Sequence, residues 1–418
     1  MSRATADEGA IDALDVLVAD RRVGRLARSD VEEDTFLFAY GDGVAAADAV
    51  SLTMPVVRDA YDSMSIVHPV FEMNLPEGSL LEQLRLRFAK TTPNLDSLTL
   101  LGIVGRAQLG RLRYSSAGSS PVTVPEQSIE ELLSYEGAHD LFHDLLERYA
   151  IHSGISGVQP KVLVRGSAKR PRKSLTHFTD RGATHIVKSF DARDYPELAA
   201  NEYFCMRAAA HAGIPTAKVE LSRNRRVLVV ERFDRKDDGT YLGLEDFCVL
   251  SGMRAHGRYD GSYERLAMRI RDFVSPSHQR EALDGLFSII ALSCAVENGD
   301  AHLKNFAVLY EDAEQAVRLA PAYDIVSTTP YQPKDVLALT LLGSKAFPDR
   351  KQLVKFGQLA CGLSPAKSHE RIDRAVAGAL ASIAELSHTA KGDRRFAPMA
   401  KRFQRSLERG VGRLSRDA

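Results

Sequence analysis

Three polar side chains with a fixed spacing carry the clearest chemical signal in this chain. Asp300 and Asn305 are five residues apart in the segment Asn298–Phe306, just after a long apolar run, and a further carboxylate, Asp324, comes later. Phosphoryl transfer needs an acid that accepts the proton of the attacking hydroxyl. It also needs an amide and a second acid that hold Mg²⁺ on the nucleotide phosphates. The spacing indicates a kinase, with Asp300 as general base and Asn305 and Asp324 as metal ligands.

Each of these side chains could instead have a purely structural role. Asp300 could cap a helix, Asn305 could lie in a turn, and Asp324 could cap a short helix that begins after it. An Asp and an Asn five residues apart also occur by chance. The interpretation therefore depends on the elements that must position them.

The upstream segments predict a strand and a helix with the charges that such a site requires. Lys188 lies in a strand-like run, His185–Phe190, where a lysine that faces nucleotide phosphates is expected. Glu202 lies within a predicted helix, Tyr195–Met206, and could pair with Lys188, although Glu197 competes for this role.

A buried strand that runs into a polar segment, Val227–Asp234, is typical of a hinge that binds adenine between two lobes. Glu231 and Phe233 would contact adenine through their backbones, and Asp234 could reach the ribose. Strand lysine, helix glutamate, hinge strand and the Asp300 loop follow one another in the order of a bilobal kinase. Within that loop, Lys304 could place positive charge near the γ-phosphate, and His302 could contact the nucleotide.

The small residues of Ser153–Gly157 could form a loop around phosphates, because small side chains let backbone N–H groups approach phosphate closely. A glycine-rich turn between two elements is the alternative.

Four segments in this order resemble the HipA-type Ser/Thr kinase toxins of bacterial toxin–antitoxin pairs: Ile155–Lys161, Val230–Arg235, Asp300–Phe306 and Tyr323–Ile325. The resemblance extends to the N-terminal part through Gly24–Leu26, Ser51–Pro55, Phe71–Gly78 and Gly102–Gly105. It runs from about residue 15 to near residue 390.

The resemblance implies an α+β, bilobal protein-kinase-like fold that uses ATP and Mg²⁺. Nucleotide contacts are then expected from the loop residues Ser156, Gly157, Val158, Gln159 and Lys161. A serine of this loop is autophosphorylated in the family, and Ser156 is the expected acceptor here, with Ser153 as the alternative. The implied substrate is a protein hydroxyl, with the aminoacyl-tRNA synthetases as the target class of the family. The implied partner is a small helix-turn-helix antitoxin that also binds operator DNA.

Composition sets outer limits on these expectations. The chain has 418 residues and zero formal net charge, which argues against bulk nucleic-acid binding by the chain itself. Its four cysteines are far apart and contain no C-x-x-C pair, as expected for reduced thiols. The N-terminus lacks the apolar core of a signal peptide, and the longest apolar stretch, Leu286–Val296, is too short to span a bilayer. We therefore expect a cytoplasmic protein without a membrane partner.

Composition shifts predict three parts: a β-rich subdomain over 1–115, a kinase N-lobe region over 116–243 and a helical C-lobe over 244–418. A helical pattern is expected from Gln127 to Tyr149.

Two segments are strongly basic. Arg165–Lys173 is expected to be a solvated hairpin tip, with docking of an acidic partner or of the DNA backbone as the alternative. Lys391–Arg416 is expected to be a frayed surface helix, with contact to operator DNA within an antitoxin complex as the alternative.

Two other functions share parts of this signal. Small-molecule kinases also carry an Asp and an Asn at this spacing and a later Asp, although the early β-rich part speaks against them. A non-catalytic scaffold of an antitoxin–DNA complex is the second alternative, and the intact acid and amide set argues against it as the sole role.

Overall fold

A computed structural model describes residues 11–415, except 33, 90, 91, 93, 94, 117–122, 137–140, 158, 168–181 and 191–193. The described strands are β1 Ala13–Val18, β2 Arg21–Arg28, β3 Thr35–Tyr40, β4 Tyr61–Met64, β5 Leu112–Ser115, β6 Glu126–Ser128, β7 Lys161–Ser167, β8 His185–Ser189, β9 Val219–Leu221, β10 Val227–Glu231, β11 Gly243–Asp246, β12 Ala307–Tyr310 and β13 Arg318–Leu319. The described α-helices are α1 Pro69–Glu72, α2 Gly78–Phe88, α3 Ser97–Val104, α4 Ile129–Ser134, α5 Leu141–Tyr149, α6 Leu198–His211, α7 Phe247–Leu250, α8 Tyr263–Phe273, α9 Pro276–Ala295, α10 Arg350–Leu359, α11 Pro365–Ala390 and α12 Ala397–Leu414. The predicted α+β class is confirmed.

The chain forms two compact units, each made of discontinuous segments. Unit 1 comprises Met1–Ser189, Asp234–Glu245 and Tyr310–Gln315, and unit 2 comprises Phe190–Phe233, Asp246–Leu309 and Ala316–Ala418. The division at residues 115 and 243 stays a prediction. Among the described helices, none has the length and hydropathy needed to cross a membrane.

The first sheet of unit 1 is antiparallel, with the order β4-β3-β2-β1-β5. Burial alternates along β1, with Leu14, Val16 and Val18 in the core, because successive side chains of a strand point to opposite faces. Gly24 in β2 fits its place because a Cβ there would lie 2.5 Å from the Ala39 carbonyl oxygen. The predicted β-rich character of this region is therefore present in the structure.

A second group of strands in unit 1 brings two lysines face to face. β6 pairs with β7 in parallel, and β7 pairs with β8 antiparallel. In this register Lys161 lies directly opposite Lys188. Side chains at directly opposed positions of an antiparallel pair lie on the same face, so the two ammonium groups share one side of the sheet.

Unit 2 is mainly helical. The long helix α11 packs against α6, α9 and α12. A core cluster joins α6 to α11 and α12 through Phe204, Leu386, Phe396 and Phe403. The expectation of a frayed C-terminal helix is wrong, since α12 buries one apolar face in this core.

Candidate active site

The loop that carries Asp300 begins where the buried helix α9 ends. Glu297 turns the chain with a left-handed φ of +54°. The side-chain oxygen of Asn298 then accepts the backbone N–H of Asp300 at 2.9 Å. Glycine is required at Gly299, because a Cβ there would lie 2.6 Å from the carbonyl oxygen of Val336. The apolar helix therefore ends in a tightly specified polar turn.

Hydrogen bonds hold the backbone of Asp300 in place. Its carbonyl oxygen accepts the side-chain N–H of Asn305 at 2.8 Å and the backbone N–H of His302 at 2.8 Å. The carboxylate Oδ1 accepts the Tyr259 hydroxyl at 2.7 Å, and 40% of the side chain is exposed. An acid with a fixed backbone and a reachable carboxylate suits proton transfer from a bound hydroxyl.

The titration behaviour of this loop departs from that of exposed residues. Burial raises the pKa of Asp300 to about 6; the Tyr259 hydroxyl opposes this shift and the Asp324 charge adds to it. Burial lowers the pKa of His302 to about 4, so its imidazole is neutral at physiological pH. The Nδ1 of His302 is buried and has no hydrogen-bond partner within the described residues. Perturbed groups of this kind cluster at functional sites.

Asn305 and Asp324 offer oxygen atoms of the type that Mg²⁺ prefers. The Asn305 amide nitrogen donates to the Asp300 carbonyl, so the carboxamide oxygen is the atom left for a cation. Asp324 has a left-handed φ of +57°, a conformation that persists at functional sites when the surrounding structure imposes it. Across the described ranges, no cluster of three or more His, Cys, Asp or Glu side chains could hold a metal. The roles of Asn305 and Asp324 as Mg²⁺ ligands stay predictions, and a Mg²⁺ bound there would take further oxygens from phosphate.

Hydrogen bonds to other parts of unit 2 hold the segment before and after Asp324. The Tyr323 hydroxyl donates to the Lys304 carbonyl oxygen at 2.8 Å, which ties Asp324 to the Asp300 loop. Asn201 of α6 donates to the Ser327 carbonyl oxygen at 2.7 Å and accepts the Ser327 N–H at 2.8 Å. The sequence analysis did not assign these positioning roles to Asn201 or Tyr323, because hydrogen bonds between residues distant in sequence leave no local pattern.

The turn before Asp300 is held by the end of the chain. Glu297 is almost fully buried, and its two carboxylate oxygens accept hydrogen bonds from Arg409, at 2.7 Å, and from Arg413. α12 also approaches α9 closely at Gly410, where a Cβ would lie 2.2 Å from the Ala295 carbonyl oxygen. The basic C-terminal helix thus has a structural role beside the candidate site.

In unit 1, the residues expected to bind phosphates lie together. Gly157 has a φ of +120°, and a Cβ there would lie 2.4 Å from Lys161 Nζ, so the Lys161 ammonium lies over the loop backbone. Lys161 and Lys188 are both buried. Gln159 has a buried Oε1 without a hydrogen-bond partner in the described part of the chain. Val158 lies outside the described residues.

The two serines of this loop differ sharply in environment. Ser153 is fully buried, donates to the Tyr149 carbonyl oxygen at 2.7 Å and accepts the Leu163 N–H at 2.8 Å. Ser156 is only partly buried, and its hydroxyl donates to the carboxylate of Glu77. Ser156 is therefore the more accessible hydroxyl.

The remaining predicted contacts are distributed over both units. Glu202 is buried in α6, whereas the competing Glu197 binds Arg225 at 3.0 Å. Lys188 and Glu202 fall in different units, so their pairing stays a prediction. Glu231 is exposed and pairs with Lys218 at 3.2 Å.

Two of the hinge residues have defined neighbours within their own units. The Phe233 ring lies 5.5 Å from that of Tyr323, next to Asp324. Asp234 is buried and accepts the Gly110 N–H at 2.6 Å, a contact that gives this carboxylate a structural role in unit 1. Its contact with a ribose stays a prediction.

Comparison with known proteins identifies the family. Residues 14–115 match the HipA N-terminal domain, and residues 153–383 match the HipA-like C-terminal domain. A Sinorhizobium fredii protein named Putative kinase Y4mE is 34% identical over 187 residues, which are 43% of this chain and 42% of that protein. A second one, Putative kinase Y4dM, is 25% identical over 360 residues, which are 80% of this chain and 82% of that protein.

A solved structure shares the fold. A chain in the Shewanella oneidensis MR-1 toxin–antitoxin complex of HipA, HipB and operator DNA superposes with a TM-score of 0.70 at 20% identity, covering 96% of this chain and 97% of that one. The predicted HipA-like, kinase-type α+β fold is thereby confirmed. Since the C-terminal domain match alone covers more than half of the residues, the chain belongs to the HipA family.

Proposed function

We propose that this protein is an ATP-dependent Ser/Thr protein kinase that inhibits growth and is neutralised by an antitoxin. The observation that carries the proposal is the Asp300–Asn305 loop, in which a reachable carboxylate with a raised pKa lies beside an oriented carboxamide. The names of the two S. fredii relatives add support at the level of kinase activity. The orphaned Nδ1 of His302 supports a ligand that donates or accepts a hydrogen bond there.

In the proposed reaction, Asp300 accepts the proton of the attacking hydroxyl as that oxygen bonds to the γ-phosphorus of ATP and the bond to ADP breaks. The Asn305 amide nitrogen keeps the Asp300 backbone in position during this step. Lys188 and Lys161 neutralise phosphate charge, with Glu202 steadying Lys188, and Lys304 adds positive charge near the γ-phosphate. Catalysis by such groups comes mainly from positioning and electrostatics.

Asn305 and Asp324 would hold Mg²⁺, which when bound neutralises charge on the transferring phosphate. Their side-chain oxygens suit this ion, and the hydrogen bond from Tyr323 to the Lys304 carbonyl oxygen ties the backbone beside Asp324 to the Asp300 loop. Both residues bind and orient, and neither exchanges a proton in the proposed scheme.

The substrate and partners follow from the family rather than from the site. We infer a protein hydroxyl as acceptor, with an aminoacyl-tRNA synthetase as the candidate target. We infer a helix-turn-helix antitoxin as partner, supported by the Shewanella complex, which contains HipA, HipB and operator DNA. Contact with DNA would then occur mainly through the antitoxin. The four cysteines, all buried and free of disulfides, suit a cytoplasmic location.

The intact mass of the purified chain after incubation with Mg-ATP tests this proposal directly. A gain of one phosphate with Mg-ATP would support kinase chemistry if the gain is lost when EDTA is added and when ADP replaces ATP. Calorimetric titration with ATP and Mg²⁺ should accompany the mass measurement. A chain that gains no phosphate and also binds no nucleotide would overturn the proposal in favour of a scaffold role.

The rate of phosphoryl transfer should depend on pH through Asp300. Only the ionised carboxylate accepts a proton, and burial raises its pKa to about 6. We therefore expect the rate to rise with pH across a midpoint near 6, whereas an ordinary exposed carboxyl group would titrate near 4. A single-turnover rate profile from about pH 4.5 to 8 checks this, and a midpoint near 4 would contradict it.

Phosphate should appear on Ser156 and not on Ser153. Ser156→Ala should abolish the mass gain with little change in stability. Ser153→Ala should cost about 1–3 kcal/mol, because the Tyr149 carbonyl and the Leu163 N–H both lose a buried partner. Peptide mapping and urea unfolding separate the two variants. Phosphate on Ser153 in the wild-type chain would contradict the assignment.

A further inference from the structure

The hydroxyl of Tyr259 makes the contact that an acceptor hydroxyl must make with a general base. It donates to Asp300 Oδ1 at 2.7 Å, within the reach required of a group whose proton is to be abstracted. The bond joins residues 41 positions apart in the chain. It is therefore a tertiary contact and not a consequence of local turn geometry.

The surroundings favour this contact while leaving it reachable from solvent. The Tyr259 ring packs edge-on against the His302 ring, with 4.9 Å between centroids. Tyr259 nevertheless keeps 42% of its surface exposed, and Asp300 keeps 40% of its side-chain surface. The contact therefore lies at the open side of the Asp300 loop, where a substrate would arrive.

The segment that carries Tyr259 has a glycine with a positive φ on each side. Tyr259 ends a short 3₁₀ helix, Ala255–Tyr259. Gly252 before it has a φ of +67° and Gly261 after it has a φ of +132°, and a Cβ added at either glycine would meet no described atom within 4 Å. Glycine adopts these conformations without steric cost, so the segment reaches this position without backbone strain. Because 42% of the Tyr259 surface is exposed, its hydroxyl can leave Asp300 by side-chain rotation alone.

We infer that Tyr259 occupies the acceptor position of the proposed kinase site and competes with the incoming hydroxyl for Asp300. This inference rests on the proposed function, since it takes Asp300 as the base. An incoming hydroxyl must displace the tyrosine before it can donate to Oδ1. Acceptors that bind tightly enough to do so react, whereas water and weakly bound hydroxyls are largely excluded. Tyr259 thus restricts the choice of acceptor without itself taking part in the transfer.

Tyr259→Phe tests the inference because it removes the hydroxyl and keeps the ring on His302. Water is the acceptor in ATP hydrolysis, so the assay needs no identified substrate. We expect the rate of Mg-ATP hydrolysis to rise about tenfold or more, since a hydrogen bond to a charged group is worth roughly a factor of ten or more. Tyr195→Phe is the matched control, because Tyr195 is equally exposed, at 42%, and lies elsewhere in unit 2. Its rate should equal that of the wild type.

A second variant ties the effect to the base. The gain caused by Tyr259→Phe should disappear in a chain that also carries Asp300→Asn. A rate that falls or stays unchanged in Tyr259→Phe would overturn the inference and assign the hydroxyl a positioning or purely structural role. The proposed function is judged separately, by whether Asp300→Asn alone lowers phosphoryl transfer in the presence of the native tyrosine.

Discussion

Asp300→Asn is expected to lower the rate of phosphoryl transfer from Mg-ATP by about 10²–10⁴-fold, the usual contribution of a positioned general base. Asparagine has nearly the same shape and can still accept the Tyr259 hydroxyl, so the loop should keep its conformation. It cannot take a proton from the attacking hydroxyl. Single-turnover measurement at saturating Mg-ATP isolates this step, because nucleotide binding no longer limits the rate.

An exposed acid of the same unit provides the control. Asp272, on α8, pairs with Arg269 at the surface and is 48% exposed. Asp272→Asn should leave the rate within a factor of about two of the wild type, as expected for a surface ion pair remote from the chemistry. Thermal unfolding and ATP titration should show that Asp300→Asn is folded and still binds nucleotide. A variant that does both and retains wild-type rates would show that another group accepts the proton.

Gly410→Ala is expected to destabilise the protein by about 2–3 kcal/mol, although alanine is normally the better helix former. A Cβ at this position would lie 2.2 Å from the Ala295 carbonyl oxygen, and all three nearest atoms belong to the backbone of Cys294 and Ala295, which cannot move aside as a flexible side chain could. Overpacking of this kind typically costs about 1–3 kcal/mol. Since α12 would be pushed away from α9, Arg409 and Arg413 would also lose their hold on Glu297. Phosphoryl transfer should then fall together with stability.

Gly412 lies in the same helix and supplies a matched substitution. A Cβ added at Gly412 would meet no described atom within 4 Å. Gly412→Ala should therefore stabilise the protein by about 0.5–1 kcal/mol through helix propensity alone. Urea unfolding of the two variants should therefore give shifts of opposite sign. Equal shifts would mean that the close approach of α12 to α9 is absent in solution.

Much of the fold follows from local patterns. The strand around Lys188 and the helix around Glu202 were both expected from hydrophobic spacing, which indicates the face that an element buries. The short strand Glu126–Ser128 was missed, because three polar residues have no alternation to detect and a helical pattern was expected from Gln127. Its pairing with β7 depends on tertiary contact alone.

The residues of the candidate site were singled out from the sequence, whereas most of the contacts around them were not. Asp300, Asn305 and Asp324 have a spacing typical of phosphoryl transfer, and their roles stay predictions. The side chains around these three residues, such as Asn201 and Tyr259, contact partners 126 and 41 positions away. Such tertiary contacts produce no hydrophobic periodicity and no motif in a single sequence, so they are seen only in the structure.

The ion pairs of Arg409 and Arg413 with Glu297 affect the order in which the protein folds during its synthesis. These arginines lie 112 and 116 positions after Glu297, so the turn before Asp300 lacks its counter-charges until α12 has been translated. A buried carboxylate without its partners is strongly unfavourable. A nascent chain that has exposed Asp300 but not yet α12 should therefore lack a settled Asp300 loop. This order of assembly would delay the onset of the proposed kinase activity until α12 has emerged from the ribosome.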